Sequence, residues 1–258
     1  MTISTTGRNN KKSIRLWAVG FWLAAWQLGS MALGQEILLA SPVSALSRFG
    51  ELAVTAEFWQ SVGWSASRIL GGFLLASVLA VLCAALSARF IRIRELLAPL
   101  VAVVKAVPVA SFIILALVWV PSRNLSLLIS GLMVFPTVYL NVLEGIAHTD
   151  RSLLEMARVF QIPLFRTLRG IYIPQVLPYF RTACSLGLGL CWKAGVAAEV
   201  IGLPRGSLGE RLYTAKIYLQ TPDLFAWTAA IVCVSVLFER LFLRGMDVLV
   251  RKAGSVCS

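Results

Sequence analysis

Residues 69–88 read ILGGFLLASVLAVLCAALSA. These twenty residues carry no charge and are followed by Arg89, Arg92 and Arg94. An α-helix needs about 20 apolar residues to cross the hydrocarbon core of a bilayer. The stretch is therefore predicted to be a membrane-spanning helix. Its upstream neighbour, Trp59–Arg68, is apolar at helical spacing and extends that helix into the interface. Working outward, similar runs occur at Ile14–Leu33, Leu96–Val120, Leu125–Ile146, Val176–Leu203 and Leu224–Val250. The last two exceed the bilayer thickness, so they tilt or project. The expected fold class is an all-α membrane protein with about six transmembrane helices.

Composition agrees. Of 258 residues, 58% are hydrophobic, against about 45–50% in soluble domains, and the mean hydropathy is +0.80. One membrane domain, residues 14–250, accounts for nearly the whole length, between tails 1–13 and 251–258. The net charge of +12 would point to nucleic acid in a soluble chain. Here the cations cluster between apolar runs, so no nucleic-acid partner is expected.

Their placement sets an orientation. Arg8, Lys11, Lys12 and Arg15 precede the first run, and Arg89, Arg92 and Arg94 follow the second. Arg151, Arg158, Arg166 and Arg169 follow the fourth, and Arg240, Arg244, Arg251 and Lys252 lie at the C-terminal end. The alternate side holds Arg48, Arg123, Arg205, Arg211 and Lys216. Fifteen cations against five place both termini in the cytoplasm. A basic start, an apolar stretch and Ala32-Leu33-Gly34 also fit a signal peptide. The apolar stretch is long for that purpose, and a retained anchor is favoured.

Four of the five cysteines, Cys83, Cys184, Cys191 and Cys233, lie in apolar runs. Cys257 lies beyond them, and no spacing fits a metal site. They read as small buried hydrophobes. There is no GxxxxGK[ST] phosphate loop, so energy for any transport comes from elsewhere. No catalytic residue or resident cofactor is expected. The single histidine, His148, has no second ligand and is given no role.

The longest internal cytoplasmic loop spans residues 147–175. Leu153, Met156, Ala157 and Phe160 share one helical face, while Arg151, Glu155 and Arg158 are polar. Pro163 ends that helix, because Ile162 before it is pushed toward an extended conformation. Pro163 also suits position N1 of a second short helix bearing Leu164, Leu168 and Ile171. Two short amphipathic helices at an angle either dock in a partner's groove or lie in the lipid interface.

Glu155-Met156-Ala157, then Gln161, then Ile171-Tyr172-Ile173-Pro174 resembles the EAA motif of binding-protein-dependent ABC permeases: E-A-A, three residues, G, nine residues, I-x-L-P. The spacing matches throughout. Gln161 departs from the family's Gly, which permits a positive φ at the turn. Further pieces resemble the nitrate/sulfonate/taurine-type subfamily. They are Lys105-Ala106-Val107-Pro108 with Trp119, Trp192 with Val196 and Ala198-Glu199, Ser207-Leu208-Gly209, and Thr221 with Phe225-Ala226. Lys105 stands where that family has Arg, and Ser207 where it has Gly.

The resemblance implies a type I ABC importer permease fold with cytoplasmic coupling helices, in the bacterial inner membrane. It implies ATPase subunits that hold ATP and magnesium, an extracytoplasmic substrate-binding protein, and a second permease copy as a homodimer in the lipid bilayer. Glu155, Met156, Ala157, Gln161, Ile171 and Pro174 would then be the ATPase-coupling residues. Substrates of that subfamily are inorganic anions, sulfonates and heterocyclic vitamin precursors.

Charged groups inside a membrane are costly and usually functional. Lys193 and Glu199 lie in the fifth run, six residues apart, and so on different faces. Lys193 with Trp192 would line a path that favours an anion, and Glu199 would lie near the outer mouth or pair with another helix. Lys105 lies near Pro108, which loosens the third run at a position suited to a gate. Gly71-Gly72, Gly187 and Gly189 permit close helix contact. An ion-coupled secondary transporter is the alternative; it would need titratable groups near mid-membrane and usually inverted repeats. An intramembrane serine protease would need a base within the spans.

Overall fold

A computed structural model describes residues 16–254, and side chains from Trp17 to Val248. The cations of the N-tail and Cys257 lie outside the described residues, and the side chains of Arg251 and Lys252 outside the described side chains. The described chain is all-helical in class, with no strand among the described residues. In order the helices are α1 (Leu16–Leu33), α2 (Pro42–Ala53), α3 (Ala56–Arg89), α4 (Ile91–Ala106), α5 (Val109–Ala116), α6 (Ser122–Ala147), α7 (Arg151–Val159) and α8 (Leu164–Thr167). A π-helical turn, Leu168–Tyr172, leads into α9 (Ile173–Gly202), followed by α10 (Leu208–Ile217) and α11 (Thr221–Gly254).

Four helical stretches are long and apolar enough to span: Ala56–Arg89, Ser122–Ala147, Leu164–Gly202 and Thr221–Val248. A fifth arises if α4 and α5 are one broken span. The first predicted span begins outside the described residues, and its described part is α1. The predicted extension of the second span holds, since Trp59–Arg68 is continuous with α3.

The predicted third span, Leu96–Val120, is corrected. It is broken by 105° between α4 and α5. Pro108 has no N–H to donate and drives Val107 out of the helical region, to φ −79°, ψ 133°.

The core is a three-helix packing of α3, α6 and α9. On α3 the stripe Ile69, Phe73, Ala76, Ala80 and Ala84 is buried, spaced as one helical face. The opposite face, with Leu75, Val78, Leu79 and Leu82, is exposed, as suits a helix that is apolar all round. Small residues set the closest approach. A Cβ on Gly72 would collide with the Leu127 carbonyl, and one on Gly131 would reach 3.2 Å from the Gly72 carbonyl oxygen. Gly187 packs on Phe73 and Val134, whereas Gly189 has nothing within 4 Å and does not mark a contact within the chain. Tyr139 adds a buried hydrogen bond to Ser87 at 3.0 Å.

Residues far apart in sequence gather at two opposite ends. One end joins α2, the start of α3, α10 and the start of α11. There Arg48 donates to Asp223 at 2.5 Å and Arg211 lies 3.3 Å from Glu57. Arg68 donates to Asn124 nearby. The hydrogen bonds to Asp223 and then Glu51 hold the Arg48 guanidinium above its ordinary pKa. The other end carries Arg89, Arg94, Glu144 and the segment α7–π turn. This is the partition of charge expected from the sequence.

Candidate functional site

The segment from Asp150 to Gln175 is built from strong local signals. Asp150 caps α7, accepting from Ser152 N at 2.8 Å. Its own N–H donates to Gln175 Oε1 at 2.9 Å, which ties the start of α7 to the start of α9. The end of α7 is a Schellman turn: Ile162 N donates to Ala157 O at 2.9 Å and Gln161 N to Arg158 O at 3.1 Å. That turn needs a left-handed residue, and Gln161 supplies it with φ 51°. The departure from Gly noted in the sequence therefore leaves the turn geometry intact, with a side chain where Gly would be relaxed.

Two expectations for this segment are corrected. Pro163 is the N-cap of α8, not N1, with ψ 145°. The second short helix is only four residues long and is not separate. It runs through the π turn into α9, so Leu164–Gly202 is one stretch of 39 residues. Pro174, which has no N–H to donate, lies inside this stretch, directly after the π turn.

The coupling candidates divide by exposure. Glu155 and Met156 are exposed, Gln161 is exposed, Pro174 is half-buried, and Ile171 is buried. Ala157 is 4% exposed. It is covered within its own chain, and its carbonyl accepts from Ile162 N in the turn that ends α7. The apolar residues left open include Met156, Val159, Phe160, Leu164 and Phe165, the last four more than 70% exposed. Val159, Leu164 and Phe165 were not singled out as exposed by periodicity, because the turn at Gln161 decides which way they point.

The path candidates also divide. Lys105 is exposed and shares a cleft with Arg94 and Tyr139, between α4 and α6. Pro108 is the exposed corner of the α4–α5 break. Lys193 is exposed on α9. Trp192 is instead buried in the core, its ring 6.0 Å from that of Phe238. Glu199 is wholly buried and forms no ion pair among the described residues. It accepts from Ser65 Oγ at 2.7 Å and from Gly209 N at 3.2 Å. Ser65 Oγ in turn accepts from Leu208 N at 2.9 Å. Glu199 thus caps the first turn of α10, where amide N–H groups lack helical partners. His148 stacks on Tyr179, and no metal-ligating cluster occurs among the described residues.

A family model for binding-protein-dependent transport system inner membrane components matches residues 72–254, which include α7 through α11. The chain belongs to that family. This permease is 30% identical over 234 residues to the putative aliphatic sulfonates transport permease protein SsuC of Escherichia coli K12, covering 86% of this chain and 88% of the relative. It is 24% identical over 220 residues to the taurine transport permease TauC of the same strain, covering 83% and 80%. It is 28% identical over 231 residues to the riboflavin transport permease RibX of Chloroflexus aurantiacus, covering 86% of each. The permease is thus the membrane component of an ABC importer, which sets aside an ion-coupled secondary transporter.

Proposed function

We propose that this permease forms half of a translocation path for a small anionic solute of the sulfonate class, and that α7 with its turn couples the path to a separate ATPase. The observation that carries the coupling is geometric. A capped amphipathic helix buries Ala157 within the chain and is tied to α9 through Gln175. It leaves Met156, Phe160, Leu164 and Phe165 open at the end of the molecule opposite α10. Exposed apolar patches of this kind mark partner surfaces, and a helix laid in a groove is a common docking mode. Because α8, the π turn and α9 are continuous, a push on the turn reaches the path-lining end of α9 without an intervening joint.

In this reading the α7 end is cytoplasmic and both termini lie on that side. ATP and its magnesium belong to the ATPase, and an extracytoplasmic binding protein delivers solute to the α10 end. A second copy completes the path, with Lys193 and Lys105 favouring an anion. The sulfonate class is supported by the two sulfonate-related relatives and by the exposed lysines.

The test is reconstitution with the cognate ATPase and binding protein in liposomes. Uptake of an alkanesulfonate, dependent on ATP and on the binding protein, is expected. Uptake of riboflavin instead would overturn the solute class, and uptake without the ATPase would overturn the coupling.

A further inference from the structure

A groove of about 550 Å³ opens between α3, α6 and the α8–α9 stretch. Its walls include Val81, Ala85, Leu164, Leu168 and Tyr172, and Arg89 lies on its lining at the end of α3. Arg89 also lines a second, more polar cleft beside it, together with Arg94, Tyr172 and Glu144. Neither Arg89 nor Arg94 forms an ion pair or side-chain hydrogen bond among the described residues.

An apolar slot that ends at unpaired arginines, at the end of a spanning helix, has the polarity of a phospholipid. We propose that an anionic phospholipid of the cytoplasmic leaflet occupies it, one acyl chain in the slot and the phosphate on Arg89. The inference rests on the orientation given above for the α7 end. Charge chooses the occupant. This end also bears Arg92, Arg151, Arg158, Arg166 and Arg169, which with Arg89 and Arg94 outnumber Glu95, Glu144, Asp150 and Glu155, so a second copy would bring net like charge, whereas an anionic headgroup brings the opposite sign. Basic pockets between helices on the cytoplasmic side bind such headgroups.

The site touches the coupling segment. Leu164 belongs to α8, and Leu168 and Tyr172 open and close the π turn. π-helical turns are uncommon and occur often at functional sites. A chain packed on this turn braces it, so lipid occupancy sets how firmly movement of α7 and α8 is passed to α9.

The test is native mass spectrometry of the permease–ATPase complex, released from mild detergent with phosphatidylglycerol and phosphatidylcholine in equal amounts. Phosphatidylglycerol should be retained preferentially by about fivefold, the preference that one cation near a membrane surface confers. Arg89→Gln should abolish the preference, and Ala85→Trp, which fills the slot, should lower retention of both lipids. Equal retention of the two lipids by the wild type, or an undiminished preference in Arg89→Gln, overturns the site. So does loss of all bound lipid once two permease copies associate, because the second copy is then the occupant. Retention is read without transport, so failure of the site stays distinct from failure of the coupling role.

Discussion

Ser65 on α3 donates its hydroxyl to the Glu199 carboxylate on α9 at 2.7 Å, and both residues hold the first turn of α10. Three helices are fastened at one buried point, with Gly209 so close that a Cβ there would strike the Glu199 backbone. Glu199→Ala removes the acceptor and strands Ser65 Oγ and Gly209 N. A buried unsatisfied donor costs about 1–3 kcal/mol, and hydrogen bonds between helices in bilayers fall at the low end. We expect Glu199→Ala to lower the thermal midpoint of the detergent-solubilised permease, and Glu199→Gln, which keeps an acceptor, to lower it less. Gly209→Ala should be at least as damaging as Glu199→Ala. Equal midpoints for all three variants and the wild type would show that the fastening is not a source of stability.

Gln161 pays for its left-handed backbone. For a residue with a Cβ that conformation costs roughly 1 kcal/mol relative to Gly. Gln161→Gly should therefore raise the midpoint slightly while uptake is kept, and Gln161→Val should lower it. A fall in stability with Gly would mean that the Gln161 side chain contributes a contact larger than the strain.

The proposed orientation rests on the placement of the cations and is tested by labelling. In a background with Cys83, Cys184, Cys191, Cys233 and Cys257 replaced, a cysteine at Tyr218, which is 71% exposed, should react with an impermeant maleimide added to intact cells. A cysteine at Phe165, 73% exposed, should react only after the membrane is opened. The reverse pattern inverts the topology.

Spanning segments were legible because lipid demands length and hydrophobicity, which any window over residues 69–88 registers. Charge asymmetry divides the loops into two sets, which is the basis of the proposed orientation. The break at Pro108 was legible as a weakness but not as a 105° corner, since its angle depends on what α4 and α5 pack against. The EAA spacing marked the candidate coupling segment, yet it did not tell outward residues from inward ones. Ala157 reads as a contact for a partner until its burial within the chain is seen. Glu199 was picked out by its charge. Its partners, Ser65 and Gly209, were not, because Ser and Gly in apolar helices carry no signal until a third helix brings them together. Trp192 shows the converse: an indole beside a lysine looked like a path lining, and the core took it.

The burial of Ala157 decides how the coupling role is best tested. Ala157→Arg would force a charged side chain into a buried position. It should lower expression and stability as well as uptake, and so cannot isolate docking. Glu155 and Phe160 are exposed, so Glu155→Lys and Phe160→Asp leave the fold alone. An apolar anchor at the centre of an interface is commonly worth 2 kcal/mol or more. Phe160→Asp should thus weaken co-purification of the ATPase and cut uptake by roughly tenfold or more, at wild-type expression and thermal midpoint. Glu155→Lys should do the same to a smaller degree, because an exposed charge contributes about 1 kcal/mol or less. Binding of solute to its extracytoplasmic protein should be untouched by either. If α7 merely lies on lipid, Glu155→Lys strengthens its attraction to anionic headgroups, and transport persists. Uptake near wild type in both variants, with the ATPase still bound, would remove α7 from the ATPase contact and leave its exposed apolar face to the membrane.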